Sequence, residues 1–285
     1  MIAMTHFMRT LLIALLLLLP AIAHGTMTIR NYSAARHYRF YSGSDKNFIG
    51  TLYDFSGVGY CSANNGTWAT LVSSNYFISA AHYHPAIGST VTFYTTNDRN
   101  ATSYTYTVAG GQKIGSSDVW VGWFNTEVDS SIERYPILTL PSESNYIGKI
   151  LYNYGKQDIV GRNVIESMRT ASCNPSTGLI AEYDFDNLDA TSVGGDETVL
   201  QYYDSGAPSF IVYDSSLTLV GIHWLSDRST YSADTFVPEY VDEINAVLAA
   251  KSQSLMAVPE PDMIWYLMVI AGALMLQKRR HALAQ

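Results

Sequence analysis

Charged residues are scarce in this chain of 285 residues. They make up 15% of the sequence, and 17 Lys and Arg are outnumbered by 25 Asp and Glu. The net charge of −8 disfavours nucleic acid as a partner, because phosphate binding needs a basic surface. Hydrophobic residues at 47% are ample for a core, so the composition predicts one large folded domain or two halves.

Cysteine is also scarce, with only Cys61 and Cys173 in the sequence. They permit one intramolecular disulfide, and the alternative is two separately buried thiols. Metal-ligand spacing is missing as well, since His82-Tyr83-His84 has no third ligand at a typical distance. No glycine-rich phosphate loop is found. We therefore predict neither a metal nor another cofactor.

Dense apolar runs occur only near the two ends. Residues 10–19 follow Arg9 and lead into Pro20-Ala21-Ile22-Ala23, a pattern that predicts a secretory signal peptide over residues 1–23. The second run, residues 263–276, follows Val258-Pro259-Glu260-Pro261 and precedes Lys278-Arg279-Arg280. At about 1.5 Å per residue it reaches roughly 21 Å, short of a hydrocarbon core of about 30 Å. We predict export and a membrane-directed tail that is a poor permanent anchor.

Between the ends, short apolar or alternating runs are separated by Gly, Asn, Ser and Asp. This pattern predicts many short strands and an all-β barrel or sandwich. The clearest predicted strands cover residues 67–72, 76–80, 90–95, 104–108, 119–124, 150–154, 209–212 and 217–222. A helix is predicted over residues 237–250, where Val241, Ile244, Val247 and Leu248 recur at helical spacing behind Pro238.

The segment Tyr203-Asp204-Ser205-Gly206-Ala207-Pro208 predicts a sharp turn that presents the Ser205 hydroxyl. A nucleophilic serine needs a neighbouring base and an acid that orients the base. His82, at the end of an apolar run, and Asp118, at the start of another, are the candidates. His84 is an alternative base, and Asp98 and Asp129 are alternative acids.

The order His82, Asp118, Ser205 resembles that of the chymotrypsin-like, or trypsin-like, serine peptidases. Ala80-Ala81-His82 resembles the histidine motif of that family, and Asp204-Ser205-Gly206-Ala207-Pro208 is similar to its serine motif Gly-Asp-Ser-Gly-Gly-Pro. Val220-Gly221-Ile222-His223-Trp224 resembles the strand that follows. The resemblance covers residues 50–250 and implies two packed six-stranded antiparallel barrels with a C-terminal helix. Residues 24–140 would form the first half and 141–250 the second, with the catalytic residues at the seam.

The resemblance also implies a role for each residue. His82 would be the general base, Asp118 its orienting acid and Ser205 the nucleophile, with the backbone N–H groups of Tyr203 and Ser205 as the oxyanion hole. Tyr203 stands where the family has glycine. In the family, the acid at Asp204 pairs with an amino terminus freed by zymogen cleavage. Since no activation sequence follows His24, an arginine such as Arg134 or Arg162 is a possible partner.

Substrate preference in this family depends on the residue six positions before the nucleophile, which here is Val199, beside Leu200. His223 and Trp224 would line the same pocket or the adjoining substrate strand. An apolar floor cannot compensate a buried lysine or arginine, so we expect apolar or aromatic side chains to fit better than basic ones.

The tail at residues 258–285, reached through a linker at 251–257, resembles the PEP-CTERM sorting signal of exopolysaccharide-producing Gram-negative bacteria. It implies transient attachment to the membrane, processing by an exosortase near Val258-Pro259-Glu260-Pro261, and delivery to the cell surface or extracellular matrix. An ordinary single-span anchor is the alternative.

Two functions follow from these expectations. The first is an exported serine endopeptidase that cleaves peptide or protein substrates through an acyl-enzyme at Ser205. The second is a catalytically inactive binding or matrix protein on the same fold, which Tyr203, Ala207 and the missing activation sequence favour.

Overall fold

The computed structural model describes residues 25–185 and 191–259. Within these residues the fold is all-β with short helices. The strands of the first half are β1 (Thr28–Ile29), β2 (Val58–Cys61), β3 (Thr67–Leu71), β4 (Tyr76–Ala80), β5 (Thr90–Tyr94), β6 (Ser103–Lys113) and β7 (Val119–Phe124). Those that follow are β8 (Ile137–Thr139), β9 (Ile150–Gly155), β10 (Ile159–Val164), β11 (Ser167–Cys173), β12 (Ser176–Asp184), β13 (Thr198–Val199), β14 (Pro208–Tyr213), β15 (Ser216–Ser226), β16 (Tyr231–Phe236) and β17 (Ala257–Pro259).

The first half contains a closed barrel of six strands in the order β2-β3-β4-β7-β6-β5. Its interior is filled by large side chains such as Phe77, Phe93 and Phe124. Phe77 faces Gly122 across the β4–β7 ladder, and a Cβ at Gly122 would lie 2.2 Å from the Phe77 ring. Only glycine therefore lets these two strands pair around that ring. The predicted antiparallel barrel in this half is confirmed.

The second half differs from the prediction. Its strands form an open path, β10-β9-β14-β15-β16-β12-β11; β8 pairs with β15 outside this path, and β17 pairs with β8. In the described residues no ladder closes this sheet into a second six-stranded barrel, so that part of the prediction is corrected. The Asn163 side chain on β10 instead donates to the carbonyl of Asp184 on β12 at 2.7 Å, which holds the curled sheet without a backbone ladder.

Apolar side chains from both halves meet in one cluster. Trp68 of the barrel packs edge-on against Tyr154, with ring centroids 5.3 Å apart, and Phe55 contacts Phe210 in the same way at 6.1 Å. Burying aromatic rings of this size accounts for several kcal/mol of packing at the seam. The interface that carries the candidate site is therefore an apolar core.

The predicted C-terminal helix is confirmed. A 3₁₀ turn, Val237–Tyr240, leads into the α-helix Val241–Leu248. Ile244 and Leu248 are fully buried, as their helical spacing predicts.

The segment predicted as a linker, residues 251–257, packs against the domain. Leu255 is 8% exposed, and its N–H donates to the side chain of Asn245 at 2.7 Å. β17 then pairs in parallel with β8, with Val258 opposite Leu138. β8 itself precedes the predicted boundary at residue 140, yet it pairs with β15 of the second half.

The predicted signal peptide, residues 1–23, lies outside the described residues. So does the predicted tail from residue 260 onward, including its apolar run and basic cluster. Among the described helices, none is long and apolar enough to cross a membrane.

Candidate active site

Strand register brings His82 and Asp118 together. β4 and β7 are antiparallel with Ala80 opposite Val119, so the residues just after β4 lie beside those just before β7. The ladder continues one step further, where the N–H of Ala81 donates to the carbonyl of Asp118 at 2.7 Å. Both residues therefore stand at the same end of the barrel although 36 positions separate them.

The two side chains form a direct hydrogen bond. His82 Nδ1 lies 2.6 Å from Asp118 Oδ2, and the backbone N–H of His82 donates to Oδ1 at 3.0 Å. A carboxylate accepts this hydrogen bond, so Nδ1 is the donor and Nε2 is the ring nitrogen that Asp118 does not engage. Asp118 is 0% exposed, whereas the His82 side chain is 38% exposed. Nε2 is therefore the ring nitrogen that could accept a proton from a group on the solvent-exposed side of the ring.

The alternative acids and base have other local functions. Asp129 accepts from the N–H of Ser131 at 3.0 Å, and Asp98 accepts from the N–H of Asn100 at 2.9 Å, as turn residues do. The His84 ring stacks on Trp120 with centroids 3.8 Å apart. Of the candidates, His82 and Asp118 are the residues that the fold pairs.

Ser205 lies in the turn between β13 and β14. Gly206 takes a φ of +83°, which glycine tolerates at no steric cost. The turn is anchored by two backbone bonds to β15, from Gly206 N–H to the carbonyl of His223 at 3.1 Å and from His223 N–H to the carbonyl of Ala207 at 3.0 Å. The motif therefore forms the predicted sharp turn in front of a strand.

A single pocket of about 210 Å³ joins the candidate residues, because His82, Tyr203 and Ser205 all line it. His82 and Ser205 are not hydrogen-bonded to each other within the described chain. Catalytic hydrogen bonds are often long in unliganded enzymes and tighten when substrate binds.

The backbone of Tyr203 has a positive φ, which is unusual for a residue other than glycine. Its φ is +72°, in the left-handed region where a side chain costs about 1–2 kcal/mol. Its surroundings hold it there: the Trp68 indole donates to the carbonyl of Tyr203 at 3.4 Å, and Lys156 Nζ lies 4.0 Å from the ring centroid. Neither the N–H of Tyr203 nor that of Ser205 donates to another group in residues 25–185 and 191–259. Both N–H groups are therefore without an acceptor within these residues.

Asp204 is fully buried and is satisfied by backbone N–H groups. Lys156 and Gln201 each donate to it at 2.7 Å, and the N–H of Met27 is a further donor. Burial raises the pKa of Asp204 to about 6 in spite of these bonds. The acid thus needs no freed amino terminus to be hydrogen-bonded.

The arginine partner suggested for Asp204 is corrected by these contacts. Arg134 donates to the backbone carbonyls of Ile132 and Val128, and Arg162 pairs with Asp196. The hydrogen bonds to Asp204 come from main-chain N–H groups of three segments, and the nearby charge of His223 also lowers its pKa.

The pocket beside Ser205 also departs from the sequence expectation. Leu200, His223 and Trp224 line it as predicted, but Val199 does not. Val199 lies in β13, where it is paired with Thr28 of β1 and is buried. The His223 ring, fully buried, is directed toward Asp234. The predicted Val199 floor is therefore replaced by a largely polar wall.

Five of the lining residues were not predicted from the sequence. They are Gln201, Tyr202, Leu225, Ser226 and Arg228. Arg228 follows Asp227 in a tight turn in which the Asp227 carboxylate accepts the N–H of Ser229 at 2.8 Å. The sequence Ser226-Asp227-Arg228-Ser229 is typical of a turn. Because it is distant from Ser205 along the chain, the sequence alone did not place it at the pocket.

The two cysteines are unpaired. Cys61 is buried in the barrel and Cys173 is exposed at the end of β11. The disulfide considered for them is not formed.

The sequence matches no protein-family model and no curated protein. Solved structures that resemble the chain have chymotrypsin-like serine protease folds. HBP is 15% identical over 68% of this chain and 92% of its own, with a TM-score of 0.48. A scabies mite inactivated protease paralogue is 13% identical over 69% and 95%, with a TM-score of 0.45. The MamO protease domain from Magnetospirillum magneticum is 10% identical over 70% and 97%, with a TM-score of 0.44.

Proposed function

We propose that this chain is a serine endopeptidase that hydrolyses peptide bonds through an acyl-enzyme at Ser205. One observation carries the proposal. The His82 ring is hydrogen-bonded at 2.6 Å to the buried carboxylate of Asp118 while lining the same pocket as Ser205. A histidine held in this tautomer is the base that a weakly nucleophilic serine requires.

In the proposed reaction Ser205 Oγ attacks the substrate carbonyl carbon while His82 Nε2 takes the hydroxyl proton. The imidazolium that forms is stabilised by Asp118 across the existing hydrogen bond. The carbon–nitrogen bond then breaks, and His82 returns the proton to the leaving amine. Water, deprotonated by the same nitrogen, attacks the acyl-enzyme and releases the acid product with Ser205 restored.

The developing oxyanion needs donors, and the free N–H groups of Tyr203 and Ser205 are the candidates. Their partner-free state supports this assignment, because a donor already bonded within the protein could not serve. The strained backbone at Tyr203 fits a site whose surroundings impose its geometry.

A fluorophosphonate reagent tests the proposal, because it reacts only with an activated serine. Wild-type protein should be labelled, and labelling should vanish in Ser205→Ala and fall by at least about 10³-fold in His82→Ala. Ser209→Ala is the matched serine control, since Ser209 is buried on β14. Folded protein that resists labelling would instead support the second function, an inactive binding or matrix protein.

We also propose export and surface delivery, which rest on residues 1–23 and 258–285 alone. Cell fractionation of a Gram-negative host producing the full chain tests it. Recovery of the protein at the cell surface with residues 1–23 removed is expected, and cytoplasmic retention of the unprocessed chain would contradict it.

A further inference from the structure

The pocket beside Ser205 carries one unneutralised charge. Of its eleven lining residues, Arg228 is the only one with a permanent charge, and no Asp or Glu lines it. The remaining wall is largely polar, through the Gln201 and Ser226 side chains among others. The pocket therefore differs from the apolar slot that Val199 predicts.

Arg228 is held at the pocket by its neighbours. Its guanidinium carbon lies 3.7 Å from the ring centroid of Tyr202, a cation–π stack that leaves the edge of the guanidinium free. Gln201 Nε2 donates to the carbonyl of Arg228 at 3.0 Å, and the N–H of Arg228 donates to Ser226 Oγ at 2.8 Å. Arg228 thus connects Gln201 with Ser226, which lies at the end of β15.

No carboxylate in the described chain forms an ion pair with Arg228, and the acids nearby are engaged elsewhere. Asp227 accepts the N–H groups of Ser229, Thr230 and Tyr231 within its own turn. Asp234, behind the pocket, pairs with His223, and Asp204 is bound by backbone groups. A guanidinium presents paired donors that match a carboxylate, so the partner that Arg228 lacks within the protein has the chemistry of an acidic side chain.

We infer that this pocket binds an acidic side chain of the substrate, Asp or Glu, with Arg228 as the residue that selects it. The inference rests on the proposed peptidase function, because it assigns the pocket to the residue next to the bond that Ser205 attacks. Arg228 is a specificity residue with no part in the chemistry. The carboxylate of an acidic substrate side chain would lie near Tyr202 and Gln201 and form an ion pair with the Arg228 guanidinium.

Peptides identical except for Glu, Gln, Phe or Lys before the scissile bond test this inference. In wild-type protein kcat/KM for Glu should exceed that for Gln by about tenfold, since Arg228 is solvent-exposed and the pair is partly screened. Arg228→Gln should bring the Glu-to-Gln ratio close to one, with a greater loss of kcat/KM for the Glu peptide than for the Gln peptide. Lys149→Gln removes the same charge outside the pocket and should keep the wild-type ratio.

Three outcomes would overturn the inference: preference for Phe or Lys, a Glu-to-Gln ratio that survives Arg228→Gln, or the same loss in Lys149→Gln. A binding measurement keeps it separate from catalysis. Peptides ending in Glu or Gln are titrated into Ser205→Ala protein, where tighter binding of the Glu peptide is expected. If fluorophosphonate labelling fails but this difference persists, only the peptidase proposal is lost. Equal binding refutes the inference, whether or not the wild-type protein is active.

Discussion

His223 and Asp234 form an ion pair with no exposure to solvent, in which Nδ1 of the ring lies 2.6 Å from Oδ1 of the carboxylate. The other ring nitrogen lies 2.9 Å from the carbonyl of Tyr154, which can only accept. Both ring nitrogens therefore donate, and the ring is an imidazolium. The Tyr183 hydroxyl donates to the same carboxylate at 3.0 Å. This pair ties β15 to β16 directly behind the pocket.

The ion pair makes stability depend on pH. Burial lowers the pKa of His223, but the charge of Asp234 and the hydrogen bond to it raise the pKa by more, so the folded-state pKa lies above the ordinary value. The contribution is fully present below the unfolded pKa of about 6.5 and is lost as the pH rises through the folded pKa. Asp234→Asn should lower the free energy of unfolding by about 3–5 kcal/mol below pH 6.5.

Urea unfolding across the pH range checks this prediction. The difference between wild type and Asp234→Asn should shrink at alkaline pH, because the wild type has lost its charged ring there. Asp242→Asn, at an exposed helix position, should show no such trend. A deficit in Asp234→Asn that is the same at every pH would mean that the histidine is not charged in the folded protein.

Sequence patterns predicted the barrel strands because their side chains alternate or are buried together. The predicted strands 76–80 and 119–124 coincide with β4 and β7, and their register alone places His82 beside Asp118. What the sequence could not predict depends on contacts between distant segments. Asp204 accepts a hydrogen bond from the backbone of Met27. A main-chain donor of this kind cannot be predicted from residue types, because every residue except proline has one.

The second half shows the same limit. Whether a sheet closes depends on the register and curl of its outer strands, and β10 is hydrogen-bonded to β12 through the Asn163 side chain. The position of Arg228 at the pocket likewise depends on a contact between distant segments, the hydrogen bond from the Gln201 side chain to the Arg228 carbonyl. Local periodicity carries no information on either arrangement.

The left-handed backbone at Tyr203 predicts an unusual order of stability. Tyr203→Gly and Tyr203→Ala both remove the ring that stacks under Lys156, but only glycine accepts a φ of +72° without strain. We expect the glycine variant to be more stable than the alanine variant by about 1 kcal/mol. Chemical denaturation measures the difference.

The neighbouring Tyr202 supplies the control for that comparison. It is 57% exposed and has an ordinary backbone, so the order should reverse there, with glycine less stable than alanine by about 0.5–1 kcal/mol. The same order at both positions would show that Tyr203 is not strained.

The segment after the C-terminal helix should contribute to stability rather than act as a tether. Leu255 is 8% exposed and belongs to the seam core, whereas the next residue, Met256, is 55% exposed. Leu255→Ala should lower the free energy of unfolding by about 2–3 kcal/mol, and Met256→Ala should change it by less than about 0.5 kcal/mol. Thermal unfolding of the two variants checks this, and equal midpoints would show that the segment is detached in solution.

The hydrogen bond from His82 to Asp118 gives the sharpest test of the site. In Asp118→Asn the amide can donate to Nδ1, which would move the ring proton to Nε2 and block that nitrogen as a base. We expect fluorophosphonate labelling and peptide hydrolysis to fall by about 10⁴-fold with little change in the folded structure, because asparagine keeps the shape of the buried side chain. Asp129→Asn and Asp98→Asn, the two acids that the sequence left open, should keep wild-type rates, since Asp129 accepts from the N–H and hydroxyl of Ser131 and Asp98 accepts the N–H of Asn100. If Asp118→Asn remains active while Asp129→Asn or Asp98→Asn does not, the orienting acid lies elsewhere and the register argument fails.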